Sequence, residues 1–285
     1  MTNKAERWKD LMSDTRPLSG TIGIVTGASR GLGRAFALDL AECGAALTLV
    51  ARSPSDLAET ANAVRTYGVA CEIVIGDVRD DSVAAETVSL TLERLGPPNL
   101  LVNNAGIARF GRLVDVEIDD WWDVLTVNLR APVSWIKAVL PSMRMQQRGR
   151  IVNISSPAAT DPLPHISSYG AAKAGLTQFT ACLAPELASD GIAVIALGPT
   201  AVTDLTRSLW ETDGLPPEMQ QGFKTWFMAD PDAHMRSSLD LFRYAAIGGA
   251  DHLSGFYIGQ RADGFDTPAG VAALPPSPAG LLLKR

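Results

Sequence analysis

The chain has 285 residues, 46% of them hydrophobic and 20% charged, which is enough apolar material for one large α/β domain or two small ones and excludes a chain disordered throughout. A net charge of −6, with 25 Lys and Arg against 31 Asp and Glu, gives no electrostatic reason to expect nucleic acid or an acidic membrane as partner. The three cysteines, Cys43, Cys71 and Cys182, are widely spaced without a Cys-x-x-Cys pair, so neither a disulfide framework nor a metal site is expected, and a reducing, cytoplasmic setting fits.

The opening "MTNKAERWKDLMSD" is charged throughout and lacks the apolar centre of a signal peptide, so residues 1–19 are expected to form a helical extension and export is not expected. No uninterrupted apolar run reaches membrane-spanning length. Short β-rich runs follow in order, "TIGIVTG", "ALTLVAR", "ACEIVIGD", "PNLLVNNAG", "GRIVNISS" and "GIAVIALGP", separated by helical patterns such as "GRAFALDLAECG" and "VAAETVSLTLERLG". Near-continuous apolar strands bury both faces, and each parallel crossover needs a helix. The alternation therefore predicts a single-domain α/β fold over residues 20–266, a doubly wound parallel sheet of Rossmann-like type with helices on both faces. Residues 204–247 break the rhythm with Trp210, Phe223, Trp226, Phe227 and Met228 among polar and Pro positions, and are expected as a substrate lid inserted over the sheet's edge. The end, "DTPAGVAALPPSPAGLLLKR", concentrates Pro, Gly and Ala without periodicity, so residues 267–285 are expected as a flexible tail.

Two motifs carry chemistry. "TGASRGLGRA" puts Gly27, Gly31 and Gly33 between the first strand and the first helix, where glycines permit a tight turn and bring backbone N–H groups and the positive helix end against a pyrophosphate. The spacing is Gly-x-x-x-Gly-x-Gly, not the more common Gly-x-Gly-x-x-Gly. "SSYGAAKAG" sets Tyr169 and Lys173 one helical turn apart on one face, among small residues that let backbone or a flat ligand come close.

With "NNAG" at Asn103 to Gly106, Asn128 in "TVNLRAP" and Ser156 in "IVNISSP", these motifs in this order resemble the short-chain dehydrogenase/reductase family over roughly residues 20–265. The resemblance implies an oxidoreductase of a carbonyl or alcohol. Ser156 would hold the substrate oxygen and Tyr169 transfer the proton. Lys173 would lower the phenol's pKa and hold the nicotinamide ribose, and Asn128 would help a water relay. Ser156 stands thirteen positions before Tyr169, the usual family separation, with Ser155 as the fallback. The cofactor would be held by Gly27, Ser29, Arg30, Gly31, Leu32 and Gly33; by Asp77 and Val78 in "GDVRD"; by Asn104, Ala105 and Gly106; by Tyr169 and Lys173; and by Pro199, Val202 and Thr203 in "LGPTAVTD". Where an NAD-binding member would offer an acidic residue, the second strand ends in Ala51 followed by Arg52; Arg52 and Arg30 are expected to pair with a 2′-phosphate, so the cofactor is NADP.

The sequence departs from the family at Pro199-Thr200, where Pro-Gly is common, and in the loop "PAATDPLPHIS", which carries Asp161 and His165. The expected activity is NADP(H)-dependent reduction of a ketone in a bulky, largely hydrophobic small molecule. Rival readings are reduction of an imine or other C=N bond, and a non-catalytic cofactor-binding scaffold. Family members associate through the helices at residues 118–147 and 167–190, so a homotetramer or homodimer is expected, using faces that carry Trp135, Val139, Phe179 and Leu183.

Overall fold

All six apolar runs form strands in the computed structural model, which describes residues 14–259 and 267–273. They are β1 (Ile22–Thr26), β2 (Ala46–Ala51), β3 (Cys71–Ile75), β4 (Leu100–Asn103), β5 (Gly149–Ile154) and β6 (Ile192–Gly198). A seventh, β7 (Tyr257–Gly259), completes the sheet; three residues of "FYIGQ" are too short a run to register as a strand by pattern. All pairs are parallel, in the order β3-β2-β1-β4-β5-β6-β7. Successive residues enter opposite cores: Val25, Leu49, Val102 and Val152 join one, while Ile24, Val50, Leu101 and Ile151 join the other. That two-residue period, with both faces apolar, is why the strands read as unbroken hydrophobic runs.

The first core is roofed by α1 (Gly31–Glu42) and α2 (Pro54–Arg65), the second by α3 (Asp81–Arg94). The stretch expected as one helix over 118–147 is α4 (Ile118–Leu125), a π-turn (Thr126–Arg130) and α5 (Ala131–Gln146). Next comes α6 (Ser167–Leu187), which also packs on the second core. Trp135, Val139 and Leu183, expected on an intersubunit face, are buried against the sheet in that core, with Phe179 packed partly against it. Exposed apolar side chains of this layer include Ile118 at 62% and Trp122 at 55%, one turn apart on α4, along with Leu92 of α3 and Met145 of α5.

Residues 204–247 divide into α7 (Asp204–Glu211), α8 (Pro217–Ala229) and α9 (Pro231–Ala246). The expectation of a lid through 247 is corrected for α9. It buries Leu241, Phe242 and Ala245 in the first core, stacks Phe242 on Phe36 of α1 with ring centres 3.9 Å apart, and donates from Arg243 Nε to Asp39 Oδ1 at 2.9 Å. Burying an aromatic of that size stabilises by about 1.5–3 kcal/mol, so α9 belongs to the body. The flexible tail is likewise corrected over residues 267–273, where α10 (Pro268–Ala273) puts Val271 and Ala272 into the first core. Residues 1–13 and 274–285, named above as extension and tail, lie outside the described residues. Among the described residues no helix is long and apolar enough to cross a membrane, and no group of three metal-ligating side chains is found.

Strand order reverses between β1 and β4, so the loops leaving their carboxyl ends diverge and open a crevice. The glycine turn and "NNAG" are those two loops.

Candidate active site

The glycine turn requires its glycines. Gly27 and Gly31 have φ of +66° and +54°, in the left-handed region. A Cβ on Gly27 would lie 2.8 Å from Ala105 Cα, and one on Gly33 would lie 2.1 Å from the Gly27 carbonyl oxygen, so α1 meets β1 this closely only without side chains there. Thr26 Oγ1 accepts from the backbone N–H of Asn104 (3.0 Å) and Ala105 (3.2 Å), and Asn104 Nδ2 donates to the Thr26 carbonyl at 2.9 Å. This binds the two loops into one floor. Thr26, which stands before the first glycine of the motif, is the residue that joins them. No acidic residue occupies the first turn of α1, which leaves the helix's positive end available to an anion. Leu32 packs on the first core, and the Ser29 carbonyl accepts from Thr60 Oγ1 at 3.3 Å. The cradle and its open helix end fit a dinucleotide pyrophosphate.

Ala51 closes β2 and is buried, with exposed Arg52 beside it. Arg52 Nη1 lies 3.8 Å from Asp77 Oδ2, and Arg30 Nη1 bonds Asp204 Oδ2 at 3.0 Å. Each arginine thus faces a carboxylate. Asp77 also accepts three hydrogen bonds from Arg79, which hold its carboxyl below the usual carboxylate range. The Val78 carbonyl accepts from Trp135 Nε1 at 3.2 Å.

β5 runs into the two serines, which take different partners. Ser155 is buried with its Oγ 2.7 Å from Thr177 Oγ1, fastened to α6. Ser156 Oγ accepts from the Ala158 N–H at 3.2 Å, and it is the Ser156 hydroxyl that favours the Tyr169 phenolate. Of the two, Ser156 is therefore the one beside the tyrosine. Lys173 Nζ lies 5.5 Å from the centre of the Tyr169 ring and donates to the Ile154 carbonyl at 2.7 Å. Burial pulls the Lys173 ammonium down to about 7 and pushes the Tyr169 phenol up, the Ser156 hydroxyl only partly opposing it. The phenol thus stands above its ordinary value here, not below it as a charged lysine neighbour alone would give.

Asn128 sits in the π-turn, a rare geometry that often marks functional positions. Its Nδ2 donates to the carbonyls of Ile107 (2.8 Å) and Val124 (2.9 Å), while its buried Oδ1 has no partner. A Cβ on Gly106 would lie 2.8 Å from that Oδ1 and 3.8 Å from Lys173 Nζ. Asn128, Gly106 and Lys173 therefore border one small space.

In the loop after β6, Ser238 of α9 clamps Thr200, accepting from its N–H at 3.0 Å and donating to its carbonyl at 2.6 Å. The clamp secures the segment from Pro199 to half-buried Val202 where Gly would ordinarily turn. Thr203 caps α7 through a reciprocal capping box with Thr206, and its side chain lies beside Gly31. Phe227 of α8 is buried against Trp210 and Trp226, and Trp226 meets His234 of α9 at a tilt, ring centres 4.5 Å apart. These aromatics hold α8 to α7 and α9, and Trp226 and Met228 keep exposed surface. The turn between α7 and α8 meets the loop after β4: a Cβ on Gly214 would lie 2.6 Å from the Phe110 carbonyl. Gly111 N–H in turn donates to the carbonyl of His165, a left-handed residue with φ of +66°. Asp161 is exposed in the same loop.

A parallel sheet with a glycine cradle at its switch point, and Ser, Tyr and Lys converging beyond β5, defines a nicotinamide-dependent oxidoreductase acting between CH–OH and C=O. The chain matches the family model for short chain dehydrogenases over residues 21–214 and belongs to the short-chain dehydrogenase/reductase family. It is 40% identical over 195 residues to the 3-oxoacyl-[acyl-carrier-protein] reductase FabG of Pseudomonas aeruginosa, covering 68% of this chain and 79% of that protein. Among solved structures it is similar to a gluconate 5-dehydrogenase from Burkholderia cenocepacia in complex with NADP and tartrate (TM-score 0.75, 28% identity, 86% of this chain and 95% of that one). It is also similar to carveol dehydrogenase from Mycobacterium avium in complex with NAD (TM-score 0.76, 26% identity, 85% and 96%).

Proposed function

We propose that the protein is an NADP(H)-dependent reductase of a ketone in a largely hydrophobic small molecule, with Ser156, Tyr169, Lys173 and Asn128 as its working residues. The observation that carries this reading is buried Lys173, whose Nζ lies 5.5 Å from the Tyr169 ring centre and is tied to the Ile154 carbonyl at the end of the strand that leads into Ser156. When bound, the dinucleotide supplies the hydride.

Ser156 and Tyr169 offer two hydroxyl groups to one substrate oxygen. A phenol held above its ordinary pKa is fully protonated at neutral pH, which suits a general acid that must donate to a developing alkoxide. Lys173, poised near neutrality, is able to exchange a proton, and the unpartnered Asn128 Oδ1 across the small space from it is placed to hold a water that resupplies one.

The NADP preference rests on Ala51, Arg52 and Arg30. Both arginines are exposed, Asp204 beside Arg30 is exposed too, and Arg52 stands 3.8 Å from Asp77, so the pairs are weak and a dianionic 2′-phosphate competes well with them. The match to reductases named for 3-oxoacyl groups favours a ketone adjoining an acyl chain. The exposed apolar pair on α4, Ile118 and Trp122, is where we place self-association. The direct test mixes the protein with a 3-oxoacyl thioester and follows NADPH and NADH consumption separately. Turnover with NADPH well ahead of NADH is expected; turnover with neither, across thioesters and bulky apolar ketones, would refute the assignment.

A further inference from the structure

Arg79 makes a set of contacts that the mechanism above does not use. Its backbone N–H and Nε donate to Asp77 Oδ1 at 2.9 and 3.0 Å, and Nη2 donates to Asp77 Oδ2 at 2.7 Å. The remaining arm, Nη1, donates to Asp123 Oδ1 of α4 at 2.6 Å. A guanidinium is planar and rigid, so fixing one edge on Asp77 fixes the direction of the other. Two further links run the same way. Arg130, the last residue of the π-turn, donates to the Arg79 carbonyl at 3.2 Å and to Asp81 Oδ2 at 2.8 Å, and Trp135 donates to the Val78 carbonyl.

The loop at residues 77–81 is thereby fastened before the π-turn by Asp123, at its end by Arg130 and beyond it by Trp135. Asn128 lies between these anchors. A π-turn is a rare bulge in a helix, and neighbouring contacts must help to hold it. Isolated exposed ion pairs contribute little, but here both carboxylates are mostly covered, at 29% and 28% side-chain exposure, and one fork serves both.

We propose that Arg79 is a positioning residue that holds the adenosine-side loop and the π-turn carrying Asn128 in one register, so that a single guanidinium aligns both halves of the dinucleotide site. This rests on the reading of Asp77 and Val78 as facing the adenosine. Its distinctive consequence is that Asp123, on α4 and joined to the loop through Arg79, should influence adenosine binding.

The test uses the full-length protein and 2′,5′-ADP, which carries the adenosine half alone, with binding measured calorimetrically. Arg79→Met should weaken binding about 10-fold and Asp123→Asn about 3-fold, as expected for loss of charge-assisted bonds in a partly exposed network. The double variant should be no weaker than Arg79→Met. Arg79→Lys, whose single ammonium cannot span both carboxylates, should behave like Asp123→Asn. A merely structural role would lower the melting temperature of Asp123→Asn and leave its Kd for 2′,5′-ADP unchanged; that outcome, or losses that multiply in the double variant, overturns the proposal. Failure of the parent protein to bind 2′,5′-ADP would overturn the adenosine reading itself, and the proposal with it. Should Arg79→Met fail to fold, the Kd of Asp123→Asn decides.

Discussion

Lys173 donates from Nζ to the Ile154 carbonyl at 2.7 Å, so the end of β5 holds the ammonium beneath the tyrosine it is meant to serve. Its side chain is 3% exposed and no carboxylate compensates it, which is why its pKa falls to about 7. Between pH 7 and the ordinary lysine value near 10.5, the unfolded chain binds more protons at this site than the folded one, so stability rises with pH across that window. Lys173→Met should stabilise the protein at pH 7 by about 1–3 kcal/mol, flatten this pH dependence and abolish turnover. Thermal melts from pH 7 to 9 check it; a less stable variant with the parental pH slope would show that the amine is not penalised by burial.

The two serines should separate cleanly. Ser155→Ala loses the hydrogen bonds of its hydroxyl to Thr177 Oγ1 and to the Lys173 carbonyl, and should cost roughly 1–2 kcal/mol of stability with kcat near the parental value. Ser156→Ala removes a donor to the substrate oxygen and should lower kcat by about 10²–10³-fold, with little change in melting temperature. Steady-state kinetics and melts on both variants decide; the reverse pattern would exchange the two assignments.

Much of this site was legible because its chemistry is local. Gly27, Gly31 and Gly33 announce a turn that no side chain fits, and the four-residue step from Tyr169 to Lys173 announces a shared helical face, while the choice of Ser156 over Ser155 is what the family resemblance implies. What escaped the sequence depends on long-range packing. Asn128 is legible in the sequence, but the π-turn that carries it is not, and the contacts that flank it, from Arg79 to Asp123 and from Arg130 to Asp81, join residues more than forty positions apart. The partners of Arg30 and Arg52 lie 174 and 25 positions away, and no spacing rule ties them. Trp135 and Val139 looked suited to an interface because a helix between sheet and solvent has two sides, and apolar periodicity does not say which one meets the sheet. In α9 the buried Phe242 and Leu241 sit among charged residues such as Asp240 and Arg243, so the pattern alone does not place the helix on the body; the contact of Arg243 with Asp39 does.

Cofactor preference should respond to the carboxylates that hold the arginines. Arg52→Asp should weaken NADPH binding by about 10–100-fold and leave NADH little changed, since a charge-assisted bond to phosphate is worth about 1.5–3 kcal/mol. Asp204→Asn releases Arg30 from an exposed pair and should tighten NADPH by only about 2–4-fold. Fluorescence titrations of both cofactors check these values; NADPH weakened by Asp204→Asn would mean that the pair supports the site and does not compete with it.

Ile118 and Trp122 expose a small apolar face on α4. If self-association uses it, Trp122→Asp should shift the mass measured by light scattering at micromolar concentration toward monomer, because a desolvated carboxylate opposes burial. An unchanged oligomer would move the interface elsewhere on the surface.

The central claim is that Tyr169 donates the proton in a reaction whose cofactor is held independently of it. Tyr169→Phe keeps the ring above Lys173 and removes only the hydroxyl, so the decisive measurement is single-turnover NADPH oxidation by this variant alongside its NADPH dissociation constant. The account predicts a rate lower by about 10²–10⁴-fold, the usual span of general acid catalysis, with cofactor affinity within a few-fold of the parent. NADPH oxidation by the Phe variant at the parental rate would contradict it.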